Sequence, residues 1–231
     1  KEPVTVILSK RGWIRAMKGH ADLSKRDEMK FKEGDELAFA IHAQTTDRIL
    51  LAAANGRFYT LPADKLPGGR GFGEPVRLLA DIDGEGDIIA MLIGSATRKL
   101  LVASSSGHGF VAPGAELIAE TRKGKQVVNL KAGSRLTIAR LIGEAHDTLA
   151  VMGDNRKMAI FPLAELPEMT RGQGVMLQRY RDGGLADAIT LTLADGLSWA
   201  MGGDSGRTRT ESDLTLWRTA RGAAGRMAPS G

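Results

Sequence analysis

The chain has 231 residues, no cysteine, and 32 Lys plus Arg against 27 Asp plus Glu, a formal charge of +5. Zero cysteine excludes a disulfide framework, thiolate metal ligation and a cysteine nucleophile, and 42% hydrophobic residues exclude a disordered polar tail. The longest apolar runs are about six residues, as in Ile88–Ile93, well short of the roughly 20 residues that a membrane-spanning helix needs.

No signal-peptide pattern opens the chain, and its first residue is Lys1 rather than Met, so a piece of a longer protein is expected. The length suits one large β domain or two small ones.

In chain order the expected elements are short strands rich in Val, Ile, Leu and Thr, bounded by Gly, Asp, Asn or Pro. Residues 4–8 and 13–17 flank the turn Lys10-Arg11-Gly12, and 49–53 and 57–61 flank Asn55-Gly56. Residues 75–79 and 88–92 follow, then 100–103 and 108–112 around Ser106-Gly107. After 126–130 and 136–142 come 149–152 and 157–161 around Asn155-Arg156. Residues 175–179, 189–193 and 207–211 complete the series, the last behind the turn Ser205-Gly206. Gly at these turns supplies the positive φ of a tight hairpin; Arg156 is the weakest of them, because a side chain makes the left-handed conformation costly. No long amphipathic helix is expected.

A repeat selects the architecture. Residues 62–66, 113–117, 162–166 and 212–216 each end in Leu four positions after Pro or Ser, at spacings of 51, 49 and 50 residues. Each follows a strand and a turn, and each is expected to form a single helical turn. The first hairpin adds a fifth unit, its Gly12 lying 44 residues before Gly56. Five units of about 45–50 residues, each with room for four short strands, imply an all-β, propeller-like domain over residues 1–231. The Ala- and Gly-rich segment 222–231 is expected to fray.

A second feature recurs after each of these Leu residues: Arg70-Gly71-Phe72-Gly73, Arg122-Lys123-Gly124-Lys125, Arg171-Gly172-Gln173-Gly174 and Arg221-Gly222-Ala223-Ala224-Gly225. Glycine permits close backbone approach, and the flanking cations suit phosphate. Charge is concentrated at the ends: residues 1–33 carry a net +4 and residues 206–231 a net +3. A basic surface of this kind favours polyanions, nucleic acid first among them.

The repeated turn, strand, Pro step and Arg/Gly loop resemble the C-terminal domains of type IIA topoisomerase A subunits over about residues 2–225. The opening Glu2-Pro3-Val4-Thr5-Val6-Ile7-Leu8-Ser9, Gly12-Trp13-Ile14-Arg15, Lys18-Gly19-His20 and Gly71-Phe72-Gly73-Glu74-Pro75 resemble the topoisomerase IV members specifically. The gyrase heptapeptide Gln-Arg-Arg-Gly-Gly-Lys-Gly is absent, and five repeats are counted where gyrase A usually has six.

The resemblance implies a β-pinwheel, a propeller-like disc of five four-stranded blades that exchange strands. It implies a non-catalytic domain that binds and bends duplex DNA along its outer edge, setting crossing geometry for decatenation and supercoil relaxation by an ATP-dependent enzyme. The implied partners are duplex DNA, the catalytic domain of the same polypeptide and the B subunit of the enzyme, in the cytoplasm on the bacterial nucleoid, with no membrane.

The candidate DNA contacts are Arg11, Arg15, Lys18, Arg70, Arg122, Lys123, Lys125, Arg171 and Arg221, with Arg57, Arg156, Lys157 and Arg207 at the hairpin turns in a second tier. Trp13 and Trp199 are read as core packing rather than DNA wedges, and Trp217 is left open. Aromatic residues make up only 5% of the chain, which disfavours base-stacking on single strands.

Signals for chemistry are poor. His20, His42, His108 and His146 have no zinc spacing, and no Gly-x-Ser-x-Gly elbow occurs. Residues 104–108 read as a polar hairpin tip. Residues 81–87 open like a calcium loop but have Leu92 at position twelve and strands on both sides, so they read as an acidic turn. Neither Tyr59 nor Tyr180 has the context of the family's DNA-cleaving tyrosine. No cofactor, metal or catalytic residue is therefore expected. The rival readings are a gyrase A wrapping domain, a propeller-type protein-interaction module and a propeller enzyme.

Overall fold

The structure, a computed structural model, describes residues 1–83, 87–200 and 207–229. Its strands are β1 (Pro3–Ser9), β2 (Trp13–Lys18), β3 (Leu37–Gln44), β4 (Arg48–Ala53), β5 (Arg57–Pro62), β6 (Glu74–Pro75), β7 (Ile88–Ile93), β8 (Lys99–Ser104) and β9 (His108–Pro113). They continue with β10 (Lys125–Gln126), β11 (Leu136–Leu141), β12 (Thr148–Gly153), β13 (Lys157–Pro162), β14 (Val175–Met176), β15 (Leu185–Leu191), β16 (Leu197–Ala200), β17 (Thr208–Glu211) and β18 (Arg226–Met227). Helix is confined to 3₁₀ turns, and no helix among the described residues is long and apolar enough to cross a membrane.

Four antiparallel sheets have the orders β3-β1-β2-β6, β7-β4-β5-β10, β11-β8-β9-β14 and β15-β12-β13-β18, and β16 and β17 form a hairpin. In every four-stranded sheet a hairpin supplies the central pair, and β3, β7, β11 or β15 returns beside its first member. The fourth strand arrives only after the chain has built the following hairpin. This strand exchange is the connectivity of a β-pinwheel. The fifth repeat contributes the hairpin β16–β17 among the described residues.

The chain divides into two compact units, residues 1–97 with 114–127, and residues 98–113 with 128–231. The first contains the sheets built on β1–β2 and β4–β5, with a core that includes Val6, Leu8, Ile14, Leu51, Tyr59 and Val76. The second contains the other two sheets and the β16–β17 hairpin. One of its cores includes Leu101, Val151, Phe161 and Leu177, and another includes Ile160, Leu214 and Trp217. Strands β4 and β8 are buried at five consecutive positions after an exposed first residue. That is why they read as unbroken apolar runs rather than alternating ones.

Three of the four expected helical turns are 3₁₀ turns, at Ala63–Lys65, Gly114–Leu117 and Leu163–Glu165, whereas residues 215–217 form a simple turn. Each of the 3₁₀ turns follows a proline that ends its strand opposite Arg48, Lys99 or Thr148. A sheet tolerates proline at such an end, where its missing N–H breaks no ladder.

Three expected strands are shorter than the sequence suggests. In 75–79, 126–130 and 175–179 the pairing covers only β6, β10 and β14. The chain then turns inward, burying Val76, Val127 and Leu177. Their N–H groups bond to the carbonyls of the turn residues Gly12, Gly56 and Gly107 at 2.8, 3.0 and 2.7 Å.

In the fourth copy the described part of the segment expected to fray ends in a paired strand, and residues 230 and 231 lie outside the described residues. Strand β18 pairs with Lys157 and Met158, Ala228 N–H bonds to Arg156 O at 2.9 Å, and Trp217 Nε1 donates to Met227 O at 2.9 Å. A segment that completes a sheet is held by the ladder whatever its composition. Arg156 stands where the other three hairpins have glycine, and it adopts φ 66°. Asn155 Oδ1 supports this turn by accepting from Lys157 N–H, as Asn55 Oδ1 does from Arg57 N–H, both at 3.0 Å. The turn assigned to Ser205-Gly206 lies outside the described residues.

Candidate nucleic-acid interface

The four Arg/Gly loops are the segments that deliver the exchanged strands. Each has a glycine immediately before its short strand, Gly73, Gly124, Gly174 or Gly225, at φ 86, 66, 84 and 82°. A Cβ at these positions would overlap the carbonyl oxygens of Ile14, Phe58, Gly109 and Met158 respectively. These glycines are therefore required by close packing of the loop on the neighbouring hairpin.

Polar groups clamp the loop carbonyls. Arg15 donates from Nη1 to Gly71 O at 2.9 Å. Arg57 donates from Nη2 to Lys123 O at 2.6 Å and from Nε at 3.1 Å. Gln178 Nε2 donates to Ala224 O at 3.0 Å, and the backbone N–H of Asn129 donates to Gly172 O at 2.9 Å. The cations of each loop thus ride on a backbone fixed from below.

The candidate cations separate into three groups. Arg15 is a correction: it is only 5% exposed, donates also to Lys30 O at 2.8 Å, and lies over the Phe31 ring at 5.3 Å. Burial lowers its pKa from the ordinary value. In β2 it faces away from Ile14, on a side covered by residues 30–31 and the 70–73 loop, and it is a clamp rather than a surface contact.

Arg122 is exposed and Lys125 is half-buried, and both are paired. Arg122 reaches Leu78 O at 2.8 Å and Asp81 at 3.2 Å, and Lys125 reaches Glu116 O at 2.6 Å and the Glu116 carboxylate at 3.5 Å. Arg11, Lys18, Arg70, Lys123, Arg171 and Arg221 form the third group. Arg11, Lys18, Arg70, Lys123 and Arg171 are exposed, while Arg221 is half-buried. Within this group, Arg171 Nε bonds to Asn129 Oδ1 at 3.3 Å and Arg221 Nη1 to Met176 O at 2.8 Å, both neutral acceptors.

Of the second tier, Arg57 is the clamp just described, Arg156 is the left-handed turn residue, Lys157 is half-buried, and Arg207 is exposed. Trp13 is half-buried with Lys32 Nζ 3.8 Å from its ring centre. Trp217 is buried in a core, and Trp199 packs against that core with Arg209 5.3 Å from its ring. The polar tip at 104–108 is a local network, with Ser106 Oγ 3.0 Å from His108 Nδ1. Burial, and then the charge of Lys131, lowers the His108 pKa. In the acidic segment 81–87, Asp81 pairs with Arg122, and residues 84–86 lie outside the described residues.

Sequence reasoning missed Arg57, Gln178 and Asn129 as loop clamps; Asn129 acts through its backbone N–H, which carries no residue-type signal. It also missed the 3₁₀ segment Leu23–Glu28. With the 70–73 loop, this segment bounds a groove of about 500 Å³ that is lined by Arg15, Lys25, Lys30, Arg70 and Phe72.

Residues 47–95, 98–142 and 147–190 match the family model described as the DNA gyrase C-terminal domain, a beta-propeller. That is more than half of the chain, and the chain belongs to this family. It is similar to the DNA topoisomerase 4 A-subunit of Caulobacter vibrioides, 46% identical over 231 residues. It is likewise similar to the protein of the same name from Rickettsia felis, 41% identical over 232 residues. Both alignments cover all of this chain and 30% of the relative, so the chain spans under a third of the length of these relatives. The solved E. coli ParC C-terminal domain matches with a TM-score of 0.85 at 27% identity, over 99% of this chain and 94% of that one.

Proposed function

We propose that the chain is the non-catalytic, DNA-binding and DNA-bending part of a topoisomerase IV A subunit. It holds duplex DNA by the phosphate backbone, using the cations of the clamped loops and the opening hairpin. The observation that carries this reading is the fourfold recurrence of a glycine-packed loop bearing Arg at its start. Contacts of this type fix a duplex in place without reading its sequence, and they favour curvature when they recur along a surface.

The activity to which such a domain contributes is ATP-dependent strand passage by the complete enzyme on the bacterial nucleoid in the cytoplasm. Its partners there are the enzyme's catalytic domain and B subunit. The domain itself needs no cofactor or metal for this role.

The test is binding of the chain to duplexes of unrelated sequence. Affinities within a few-fold of one another, with no DNA cleavage, are expected. Strong preference for one sequence, or no duplex binding at all, would overturn the reading.

A further inference from the structure

The chain has six Phe, three Trp and two Tyr, and Phe58, Phe110 and Phe161 are fully buried. Phe72 is 42% exposed. It occupies the position just before the loop glycine, where the other three loops have Lys123, Gln173 and Ala224.

Its loop is rigid. Gly73 sits against the Ile14 carbonyl with no room for a Cβ, and Gly71 O is held by the buried Arg15 guanidinium at 2.9 Å. Beside Phe72, Arg70 is exposed and makes no hydrogen bond or ion pair among the described residues. Lys25 and Lys30 line the same groove. Its carboxylates are Asp22 and Glu28, and Asp22 is already engaged by the Ser24 N–H and hydroxyl at 2.9 and 2.6 Å.

An apolar protein partner calls for a contiguous apolar patch of several hundred Å², yet Phe72 stands between Arg70, Gly71 and Glu74, all exposed. A single rigid aromatic flanked by cations suits a polyanion with stacked rings inside it. Architectural DNA-binding proteins insert such side chains between base pairs and so kink the duplex.

We propose that Phe72 is a wedge that enters the base stack of bound duplex DNA at the first Arg/Gly loop and fixes the position of a kink, with Arg70 holding the adjacent phosphate and Arg15 acting as a positioning residue for the loop. This inference rests on the duplex-binding function proposed above.

The test uses the chain with a duplex that carries end-to-end energy-transfer dyes and 2-aminopurine at successive steps. Wild type should bend the duplex and brighten 2-aminopurine most where it is placed at a flexible pyrimidine–purine step. Phe72→Ala should abolish the brightening and reduce the bend. Its affinity should fall by less than about tenfold, because stacking retained in the duplex offsets the lost contact. Its salt dependence should be unchanged, since no charge is removed. Phe72→Leu should keep most of both signals, leucine being a competent wedge.

Bending and brightening by Phe72→Ala equal to wild type would overturn the wedge and leave duplex binding standing. Wild type that fails to bind duplex would overturn both proposals, so the two failures are distinguishable.

Discussion

Replacing Gly73 with Ala tests whether the loop glycines are structural. At φ 86° a side chain costs about 1–2 kcal/mol. The new Cβ would also overlap Ile14 O, and it would lie 3.0 Å from Arg15 Cβ. Relief requires β6 to move off β2, which breaks the Trp13↔Pro75 and Ile14↔Glu74 pairing and strains the Val76 N–H bond to Gly12 O at 2.8 Å. Weakening two such hydrogen bonds costs about 1 kcal/mol each, for a total of about 3–4 kcal/mol.

For a protein of this size, 1 kcal/mol corresponds to about 2–4 °C, so the melting temperature should fall by roughly 6–16 °C. Gly71→Ala is the matched control: its Cβ would meet nothing within 4 Å, and it should stay within about 0.5 kcal/mol of wild type. Denaturant and thermal unfolding followed by circular dichroism measure both. Equal stability of the two variants would refute the assignment of Gly73 to close packing.

Other outcomes follow from the same geometry. Arg156→Gly should exceed Arg156→Ala in stability by about 1 kcal/mol, because only glycine relieves the left-handed backbone; equal unfolding midpoints would contradict this. Burial, and then the nearby Asp154 carboxylate, push the Tyr180 phenol well above its ordinary pKa. The native state therefore keeps a proton that the unfolded chain releases, and stability should decline as pH rises past about 10. Tyr180 Oη is buried without a partner among the described residues, so Tyr180→Phe should fold normally and flatten that decline in alkaline melts. Neutralising Lys123 should lower the slope of log K against log salt by about 1. Adding Arg122 and Lys125 should lower it by at most about 3 in all, and by less to the extent that their ion pairs with Asp81 and Glu116 survive DNA binding.

The hairpins β1–β2, β4–β5, β8–β9 and β12–β13 were legible because a period near 50 residues repeats the same turn and strand, whereas β16 of the last hairpin was not expected. Even Arg156 was placed correctly, by its position in the repeat and against its own propensity. The fourth strands were not legible as pairing partners. A two-residue strand has no periodicity to detect, and the apolar residues behind it, such as Val76 and Val127, imitate a longer strand while entering the core. The same limit hid the tail: Arg226 and Met227 look like frayed chain until β13 stands beside them. The clamping contacts of Arg15 and Arg57 were not legible for another reason. A cation within or at the start of a strand looks solvent-facing from local pattern, and only the returning loop, 56 residues on for Gly71 and 66 for Lys123, supplies the carbonyls that hold it. The cations on the loops themselves were legible, since Arg70, Lys123 and Arg171 sit on turns with no competing core role.

The salt dependence of duplex binding tests the central claim most directly. If Arg11, Lys18, Arg70, Lys123, Arg171 and Arg221 each neutralise a phosphate, counterion release gives log K falling against log salt with a slope of about −5. Changing Arg70, Lys123 and Arg171 together to Gln should bring it to about −3. A wild-type slope near zero, or a triple variant with the wild-type slope, would contradict backbone capture by these loops.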